Sequence, residues 1–278
     1  MNKLLISAIV IFQLAATGCR KNVSWDVYAV KYLDYSIGRA DNAAIGGNPD
    51  DSVRNCFMVW LLKGSNGKTI LVDAGYIDTA SVPNKKFVRP DIVLQRINVY
   101  PSDISDIILT HPHWDHIGGI SLFPKAKVWM QKDDFEYYVS RKWQSDGFER
   151  GFTTTNIKDI LKVRDEGRLN LVEGDSIELF PGILAFTGSR HSFNNQYLLV
   201  NANKGKDKVL LASDASWFYY NLDKLLSVPL VIDPDAYLKT LKRMKNQVSD
   251  PDFIIPGHDE LVFEKFPKVA EWIVKIEK

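Results

Sequence analysis

Cysteine is scarce in this sequence, and so is any excess of one charge. The two cysteines, Cys19 and Cys56, allow an internal disulfide only if they pair with each other, so disulfides cannot form the framework of the fold. A net charge of +1 and a pI of 7.7 give no overall attraction to nucleic acid or to an acidic membrane, and we expect no nucleic-acid partner. The 278 residues are 45% hydrophobic, which is enough to bury the core of one large α/β domain.

Residues 1–18 have the features of an export signal. Lys3 supplies a positive start, residues 4–14 are mostly apolar but too few to span a bilayer, and residues 15–18 are small. Cys19 then resembles the acylated cysteine of a bacterial lipoprotein; a plain secretory signal with an incidental cysteine is the alternative. We therefore expect lipidation of Cys19, a tether over residues 19–24 and one domain over residues 25–278. The expected location is the bacterial cell envelope, on the periplasmic or surface side of a membrane.

The pattern of apolar residues predicts two blocks in which strands are followed by helices. In the first block it predicts strands at 25–35, 53–62, 69–73, 104–109 and 126–130, and helices at 91–99 and about 133–143. In the second block it predicts strands at 171–179, 183–187, 196–200, 209–212 and 253–255, and helices at 234–247 and about 266–276. Residues 144–170 show no clean period and are either a mobile cover over a site or ordinary surface structure. Cys56, inside an apolar strand, is expected to be a buried, inert thiol.

The stretch from residue 109 to residue 119 concentrates side chains that bind metals. It reads Leu-Thr-His-Pro-His-Trp-Asp-His-Ile-Gly-Gly, and it contains His111, His113, Asp115 and His116. Imidazole and carboxylate groups together suit zinc or a similar first-row divalent ion, and crowding them this closely has little value for packing alone. A polar loop whose histidines face solvent is the alternative, but it leaves each imidazole without an obvious local partner. The sequence therefore predicts a metal site.

The remaining histidines, His191 and His258, each follow a short apolar run, and Asp214 ends another such run at residues 208–213. The His-x-His-x-Asp-His stretch resembles the signature of the metallo-β-lactamase superfamily, and these three residues stand where the resemblance puts the other ligands. It implies an α/β fold of the αββα sandwich type, with two zinc ions or else iron, manganese or cobalt. It also implies two ligand sets joined by a bridging carboxylate: His111, His113 and His191 on one ion, Asp115, His116 and His258 on the other, and Asp214 between them.

Other stretches resemble the N-acyl homoserine lactonases, the branch of this superfamily that degrades quorum signals. They are residues 70–75, 172–175, 214–216 and 256–259. The resemblance implies that a hydroxide shared by the two ions attacks the ring carbonyl of a small-molecule lactone, and that Asp115 passes a proton to the departing alkoxide. It also implies that Asp73 supports the metal ligands through hydrogen bonds. A turn residue with no role in the site is the alternative for Asp73.

Two positions depart from the lactonase pattern. The family usually has Tyr three residues after the bridging aspartate, but this chain has Trp217, whose indole N–H donates a hydrogen bond and cannot act as an acid. The loop at residues 188–193, Gly-Ser-Arg-His-Ser-Phe, also differs from the family's usual Thr-Pro-Gly-His form. Several aromatic residues are candidates for an apolar wall that holds an acyl chain, or else belong to the core: Trp114, Phe193, Trp217, Phe218 and Tyr219. On this interpretation, Trp217→Phe alters substrate preference and leaves the metal bound.

Other functions are compatible with the same fold. A thioesterase resembling glyoxalase II uses the same seven ligands and differs in its substrate pocket. A sulfur dioxygenase needs redox iron with open ligand positions, and β-lactamases lack the bridging aspartate, so Asp214 argues against both. A membrane-tethered binding protein with a relic metal site is the alternative outside enzymes, but the sequence retains every expected ligand.

Overall fold

The computed structural model describes residues 23–77 and 86–278. The predicted export signal, the predicted lipidation site Cys19 and most of the predicted tether lie outside the described residues. Within the described ranges, no helix is long and apolar enough to cross a membrane.

The first half of the described chain forms a mixed half-sheet with helices. The strands are β1 (Trp25–Arg39), β2 (Ser52–Gly64), β3 (Thr69–Val72), β4 (Lys86–Phe87), β5 (Asp106–Ile108), β6 (Lys127–Gln131) and β7 (Leu169–Val172). The helices are α1 (Pro90–Leu94), α2 (Trp114–Ile117), α3 (Lys132–Val139), α4 (Lys142–Ser145) and α5 (Thr155–Asp165). The strand order is β1-β2-β3-β5-β6-β7, and the run from β3 to β7 is parallel. The carboxyl ends of these parallel strands therefore meet at one edge.

The second half supplies the other half-sheet and the C-terminal strands. The strands are β8 (Ile177–Phe180), β9 (Ile183–Thr187), β10 (Gln196–Ala202), β11 (Asp207–Ser213), β12 (Ile254–Pro256), β13 (Lys268–Ala270) and β14 (Ile273–Lys275). The helices are α6 (Tyr219–Lys224), α7 (Pro234–Lys245) and α8 (Val262–Lys265). The start of α7 agrees with the prediction, because the Asp233 carboxylate accepts a hydrogen bond from the backbone N–H of Ala236 and Pro234 takes the first helical position.

Side chains of β2 point alternately to the two faces of the sheet, and this produces the layers of the fold. Trp60 and Leu62 belong to a buried cluster that also contains residues of β9–β12, α6 and α7. Val59 and Leu61 belong to a second cluster, on the opposite face, with residues of α1, α3 and α5. Because successive strand residues face opposite sides, β2 is apolar from Cys56 to Leu62, where it is covered on both faces. The αββα sandwich predicted from the sequence is confirmed.

The two half-sheets share a short hydrogen-bonded junction. β1 and β10 pair in parallel at one residue pair, Trp25 with Ala202. β11 and β12 lie beyond β10, and β2 and β3 lie on the other side of β1. The two half-sheets are therefore joined by few ladder hydrogen bonds and by a large shared core.

The helix predicted at residues 266–276 is wrong. This segment forms β13 and β14, and β14 pairs antiparallel with β1, with Val274 opposite Ala29. Ile273 and Val274 are both buried but belong to different clusters, on opposite faces of the sheet. Successive residues of a strand point to opposite faces, whereas the buried residues of an amphipathic helix recur every three or four positions on one face. Pairing with a strand more than 200 residues away in sequence decides the structure here.

Two other predictions need smaller corrections. The strand predicted at 171–179 is divided into β7 and β8 by a turn in which Gly174 and Ser176 have φ values of 98° and 61°. The segment 144–170, predicted to lack a regular period, contains α5. Ile157, Ile160 and Val163 are the buried apolar residues of α5, and the charged residues between them obscure this helical spacing in the sequence.

Four strands end within four residues before a predicted metal ligand. β5 leads into the stretch that carries His111, β9 leads to His191, β11 ends one residue before Asp214, and β12 ends two residues before His258. A strand end leaves the following side chain free of the sheet while its backbone stays anchored. The fold therefore brings ligands that are far apart in sequence to one place.

Gly119 lies three residues after His116, and its lack of a side chain allows the backbone of Ala74 to approach closely. Replacement of Gly119 tests this packing. A Cβ at residue 119 would overlap the carbonyl oxygen of Ala74, whereas Gly38 has nothing within 4 Å of such a Cβ. We expect Gly119→Ala to lower the free energy of unfolding by about 1–3 kcal/mol or more through overpacking. Gly38→Ala, the matched control, should leave it unchanged or slightly higher. Urea unfolding measures both, and equal stabilities of the two variants would contradict the packing described here.

Candidate metal centre

The stretch between β5 and the first turn of α2 directs four side chains into the interior. The carbonyl of His113, which precedes α2, accepts hydrogen bonds from the backbone N–H groups of His116 and Ile117, both at 3.0 Å. His111, His113, Asp115 and His116 are at most 7% exposed. The local structure therefore removes all four metal-binding groups from bulk solvent.

His111, His113, His191 and Asp214 form a first ligand set. The Nδ1 atom of His113 lies 3.0 Å from Nε2 of His111 and 3.0 Å from Nε2 of His191. The Oδ2 atom of Asp214 lies 3.1 Å from Nε2 of His191. One donor atom from each side chain lies within 4.8 Å of the others. Three imidazole nitrogens and one carboxylate oxygen form a donor set typical of zinc sites.

Asp115, His116 and His258 form a second ligand set. The Oδ2 atom of Asp115 lies 3.3 Å from Nε2 of His116 and 3.6 Å from Nε2 of His258. The other carboxylate oxygen of Asp214, Oδ1, lies 3.2 Å from Nε2 of His116 and 3.0 Å from Nε2 of His258. Asp214 thus presents one oxygen to each set. The structure brings all seven predicted ligands together.

The bonding state of these atoms fits two cations. Nε2 of His116 and Oδ1 of Asp214 are buried and lie 3.2 Å apart, but neither makes a hydrogen bond of normal geometry with a described residue. Buried polar atoms without a partner are costly, by about 1–3 kcal/mol each. Nitrogen and carboxylate donors that converge in this way are the ligands of zinc and other first-row divalent ions, which would satisfy the unpartnered atoms.

Burial and mutual charge set the protonation of the donors. Burial holds the pKa of His111 and of His113 well below the usual value, which leaves both imidazoles neutral and able to bind a metal. Burial raises the pKa of Asp214, but the charges of the nearby imidazoles outweigh it and hold this pKa well below its usual range. Burial lowers the pKa of His116, but the carboxylates of Asp115 and Asp214 outweigh it and raise this pKa well above its usual value. A cation bound at the second set would therefore have to displace a proton from His116, and its binding would weaken at low pH.

Asp73 supports the ligands from behind. Its Oδ2 atom lies 2.8 Å from Nδ1 of His116, and its Oδ1 atom accepts a hydrogen bond from the backbone N–H of Thr110 at 2.7 Å. The hydroxyl groups of Thr110 and Ser213 also lie within hydrogen-bond distance of Oδ2, at 2.9 and 3.2 Å. A proton held between His116 and Asp73 leaves Nε2 of His116 free to face the second ligand set. Of the two interpretations of Asp73, the geometry favours the supporting one.

Thr110 and Ser213 are residues of this site that the sequence analysis missed. Each is adjacent to a predicted ligand, His111 or Asp214, which was the available signal.

Cys56 supports a metal ligand through its main chain, because its backbone carbonyl lies 3.1 Å from Nδ1 of His258. The Cys56 thiol itself is fully buried, as predicted, and burial raises its pKa well above the usual value.

A cavity of about 460 Å³ opens onto the two ligand sets. Trp114, Trp217 and Phe218, three of the predicted wall residues, line it. The cavity is also lined by residues that no local motif indicated, from the ends of β1 and β2 and from two later loops: Tyr35, Arg39, Asn55, Phe57, Arg150 and Leu230. Its size and its mixture of aromatic and polar walls suit a small organic molecule.

Phe193 and Tyr219 lie elsewhere. Phe193 stacks on Tyr137 of α3, with ring centroids 4.5 Å apart. Tyr219 begins α6 and is absent from the cavity lining, and the ammonium group of Lys265 lies 4.7 Å from the centre of its ring. These two predicted wall residues therefore pack against neighbouring elements and do not line the cavity.

Part of the segment 144–170 covers His113. Gly151 has φ +90°, and a Cβ there would lie 2.8 Å from the His113 ring. Its carbonyl accepts a hydrogen bond from the backbone N–H of Trp114 at 3.0 Å. Phe152 packs edge-on against His113 at 4.6 Å and stacks on Trp143 at 5.4 Å. These contacts make residues 151–152 a wall of the metal centre.

Asp134 is a buried carboxylate that the sequence analysis also missed. It joins α3 to the loop after His191, since its Oδ2 atom accepts a hydrogen bond from the Ser192 hydroxyl at 2.7 Å and its Oδ1 atom accepts one from the backbone N–H of Asn194 at 2.8 Å. Burial raises the pKa of Asp134 from 3.8 to about 6, against the effect of these hydrogen bonds.

Asp134→Asn should flatten the dependence of stability on pH. Because the pKa is raised in the folded state, the folded protein binds this proton more tightly than the unfolded chain, and the resulting stability is lost as pH rises from about 4 to about 6, by up to about 3 kcal/mol. The variant has no titrating group here, so its free energy of unfolding should fall less over this interval. Urea unfolding of metal-free protein at pH 4 and 6.5 measures the difference, with the exposed Asp133→Asn as control. If the free energy of unfolding of Asp134→Asn changes with pH as steeply as that of the native protein, the raised pKa of Asp134 is contradicted.

Comparison with known proteins agrees with this geometry. A family model described as the metallo-beta-lactamase superfamily matches residues 49–258. An N-acyl homoserine lactonase of Bacillus thuringiensis is 29% identical over 223 residues, which cover 72% of this chain and 81% of the relative. The N-acyl homoserine lactonase AttM of Rhizobium radiobacter is 25% identical over 188 residues, which cover 62% of this chain and 64% of that relative.

Solved structures share the fold. The crystal structure of a quorum-quenching N-acyl homoserine lactone lactonase matches with a TM-score of 0.69 at 24% identity, and the match covers 89% of this chain and 97% of that one. AidC, a dizinc quorum-quenching lactonase, matches with a TM-score of 0.66 at 18% identity, over 84% of this chain and 87% of AidC. The family model spans most of the chain and every predicted ligand. We conclude that the chain belongs to the metallo-beta-lactamase superfamily.

Proposed function

We propose that this protein is a dinuclear metal-dependent hydrolase that opens the ring of lactones of the N-acyl homoserine lactone type. The observation that carries the proposal is the position of Asp214, which presents Oδ2 to the first ligand set and Oδ1 to the second beside an open cavity. The similarity to N-acyl homoserine lactonases supports the substrate class.

The residues that would hold the metals are the two ligand sets with Asp214 between them. Zinc suits their nitrogen and carboxylate donors, and iron, manganese or cobalt are the alternatives. A bound pair of such ions lowers the pKa of a shared water and polarises a carbonyl group.

The chain's own groups provide proton transfer and binding. Asp115 lines the cavity, and its carboxylate can hold a proton and pass it to the alkoxide that leaves when the ring opens. Trp114 packs against Phe57 and Tyr76, with ring centroids at 5.7 and 4.9 Å, so its indole is a fixed apolar wall for an acyl chain.

The test is acid release by the zinc-loaded protein from a panel of acyl-homoserine lactones, simple lactones and thioesters. Asp214→Ala should lose bound metal and lower ring opening by at least about 100-fold, because the ions supply several kcal/mol of transition-state stabilisation. Asp207→Ala, at the opposite end of β11, is the matched control and should retain both metal and activity.

The panel separates the alternatives. Turnover of thioesters alone, with two bound metals, would replace the lactone assignment by a thioesterase of the same fold. Full lactone turnover by metal-depleted Asp214→Ala protein would contradict the metal-dependent mechanism itself.

We also propose that lipidation of Cys19 anchors the protein at the bacterial envelope. The support is the pattern of residues 1–19, in which an apolar run and small residues precede the cysteine. In cells given a labelled fatty acid, the Cys19→Ser variant should lose the label, whereas Cys56→Ser, which alters a fully buried thiol, should keep it. If both the native protein and Cys56→Ser lack the label, the proposed lipid anchor is overturned.

A further inference from the structure

Trp217 lies between the two ligand sets. The centre of its ring system is 5.9 Å from that of His191 in the first set and 6.1 Å from that of His258 in the second, and both contacts are nearly perpendicular, at 73° and 89°. Its indole Nε1–H donates a hydrogen bond to Oδ2 of Asp214 at 2.6 Å. The residue that departs from the lactonase pattern is therefore in direct contact with the bridging carboxylate.

The backbone holds this indole in place. The carbonyl of Trp217 accepts a hydrogen bond from the backbone N–H of His258, and the carbonyl of Ser216 accepts one from Gly257, both at 2.9 Å. The Tyr237 hydroxyl donates to the backbone carbonyl of Asp214 at 3.1 Å. The main chain at both ends of the indole–carboxylate contact is thus anchored to neighbouring elements.

The other groups that contact this carboxylate are metal ligands themselves: Nε2 atoms of His116, His191 and His258 lie 3.0–3.2 Å from its oxygens. Among the described residues, Trp217 is the only hydrogen-bond donor to the Asp214 carboxylate that does not belong to a ligand set. The terminal torsion of an aspartate is broad, so this group can rotate unless something fixes it. A hydrogen bond to a charged acceptor is stronger than one between neutral groups. The Trp217 hydrogen bond therefore restrains this torsion from outside the two ligand sets.

An indole has one N–H group and no acceptor. Because Nε1–H is directed to Asp214, it is not available to a substrate in the same arrangement. The ring of Trp217 lines the cavity, as the sequence predicts, but its N–H is directed at a metal ligand.

We propose that Trp217 is a positioning residue of the metal centre: its indole N–H orients the Asp214 carboxylate so that one oxygen serves each ligand set, and it thereby sets the metal affinity of the first set. The inference rests on the proposed metal centre and is independent of which ester or lactone is the substrate.

The test is the metal affinity of Trp217→Phe, which keeps an aromatic ring and removes the N–H. Hydrogen-bond partners of metal ligands contribute about 10–100-fold to metal affinity, so we expect zinc to bind at least about 10-fold more weakly in competition with a chelator. The visible absorption spectrum of the cobalt-substituted variant should also change, because the orientation of a ligand changes.

Trp114→Phe is the matched control. Trp114 lines the same cavity, and within the described ranges it makes no hydrogen bond to either ligand carboxylate. This variant should keep the zinc affinity and the cobalt spectrum of the unmodified protein. Native zinc affinity in Trp217→Phe, together with a changed KM, would overturn the proposal and indicate that the indole contacts the substrate.

A measurement on the unmodified protein avoids any folding defect of the variant. With 15N-labelled tryptophan in the zinc-loaded protein, the indole N–H of Trp217 should exchange slowly with solvent and should keep its chemical shift when a homoserine lactone product is added. A large shift on product addition would contradict the proposal. Absence of lactone turnover would overturn the substrate assignment and leave the metal-affinity test unaffected.

Discussion

The buried carboxylate of Asp214 is the constraint on which the metal centre depends. It is 3% exposed, and its oxygens lie 3.0–3.2 Å from imidazole nitrogens of His116, His191 and His258. An isolated charge in such a place costs several kcal/mol, so the surrounding cations and donors must compensate it. The strand ends, the hydrogen bonds of Asp73 and the wall at Gly151 all fix donors around this one group.

The ligands were predictable because each signal is local. An apolar run that stops at a histidine or aspartate is visible in the sequence, and the chemistry of imidazole and carboxylate restricts what such a cluster can do. The order of strands and helices followed from the same runs, as the agreement at β9 and at the start of α7 illustrates. The layered fold then followed from strands that are apolar on both faces.

The remaining features depend on contacts between distant residues. β14 is a strand because β1 offers it a partner, which no window around residue 273 reveals. The cavity walls from Tyr35, Asn55 and Arg150 arise where chain segments meet without a common motif. The direction of the Trp217 indole is set by hydrogen bonds of its backbone to the segment after β12. Sequence identified the residue as unusual, but only the fold decides what its N–H meets.

The narrow junction between the half-sheets has a consequence for folding. β1 and β10 share one ladder pair, and each ligand set takes side chains from both halves: residues 111–116 come from the first half, and His191, Asp214 and His258 come from the second. Ions bound to both sets would act as non-covalent crosslinks across this junction, and their binding free energy would add to the stability of the native state. Bound ions would then strengthen the coupling that the shared core already provides between the two half-sheets, and a chelator would lower the stability of this junction.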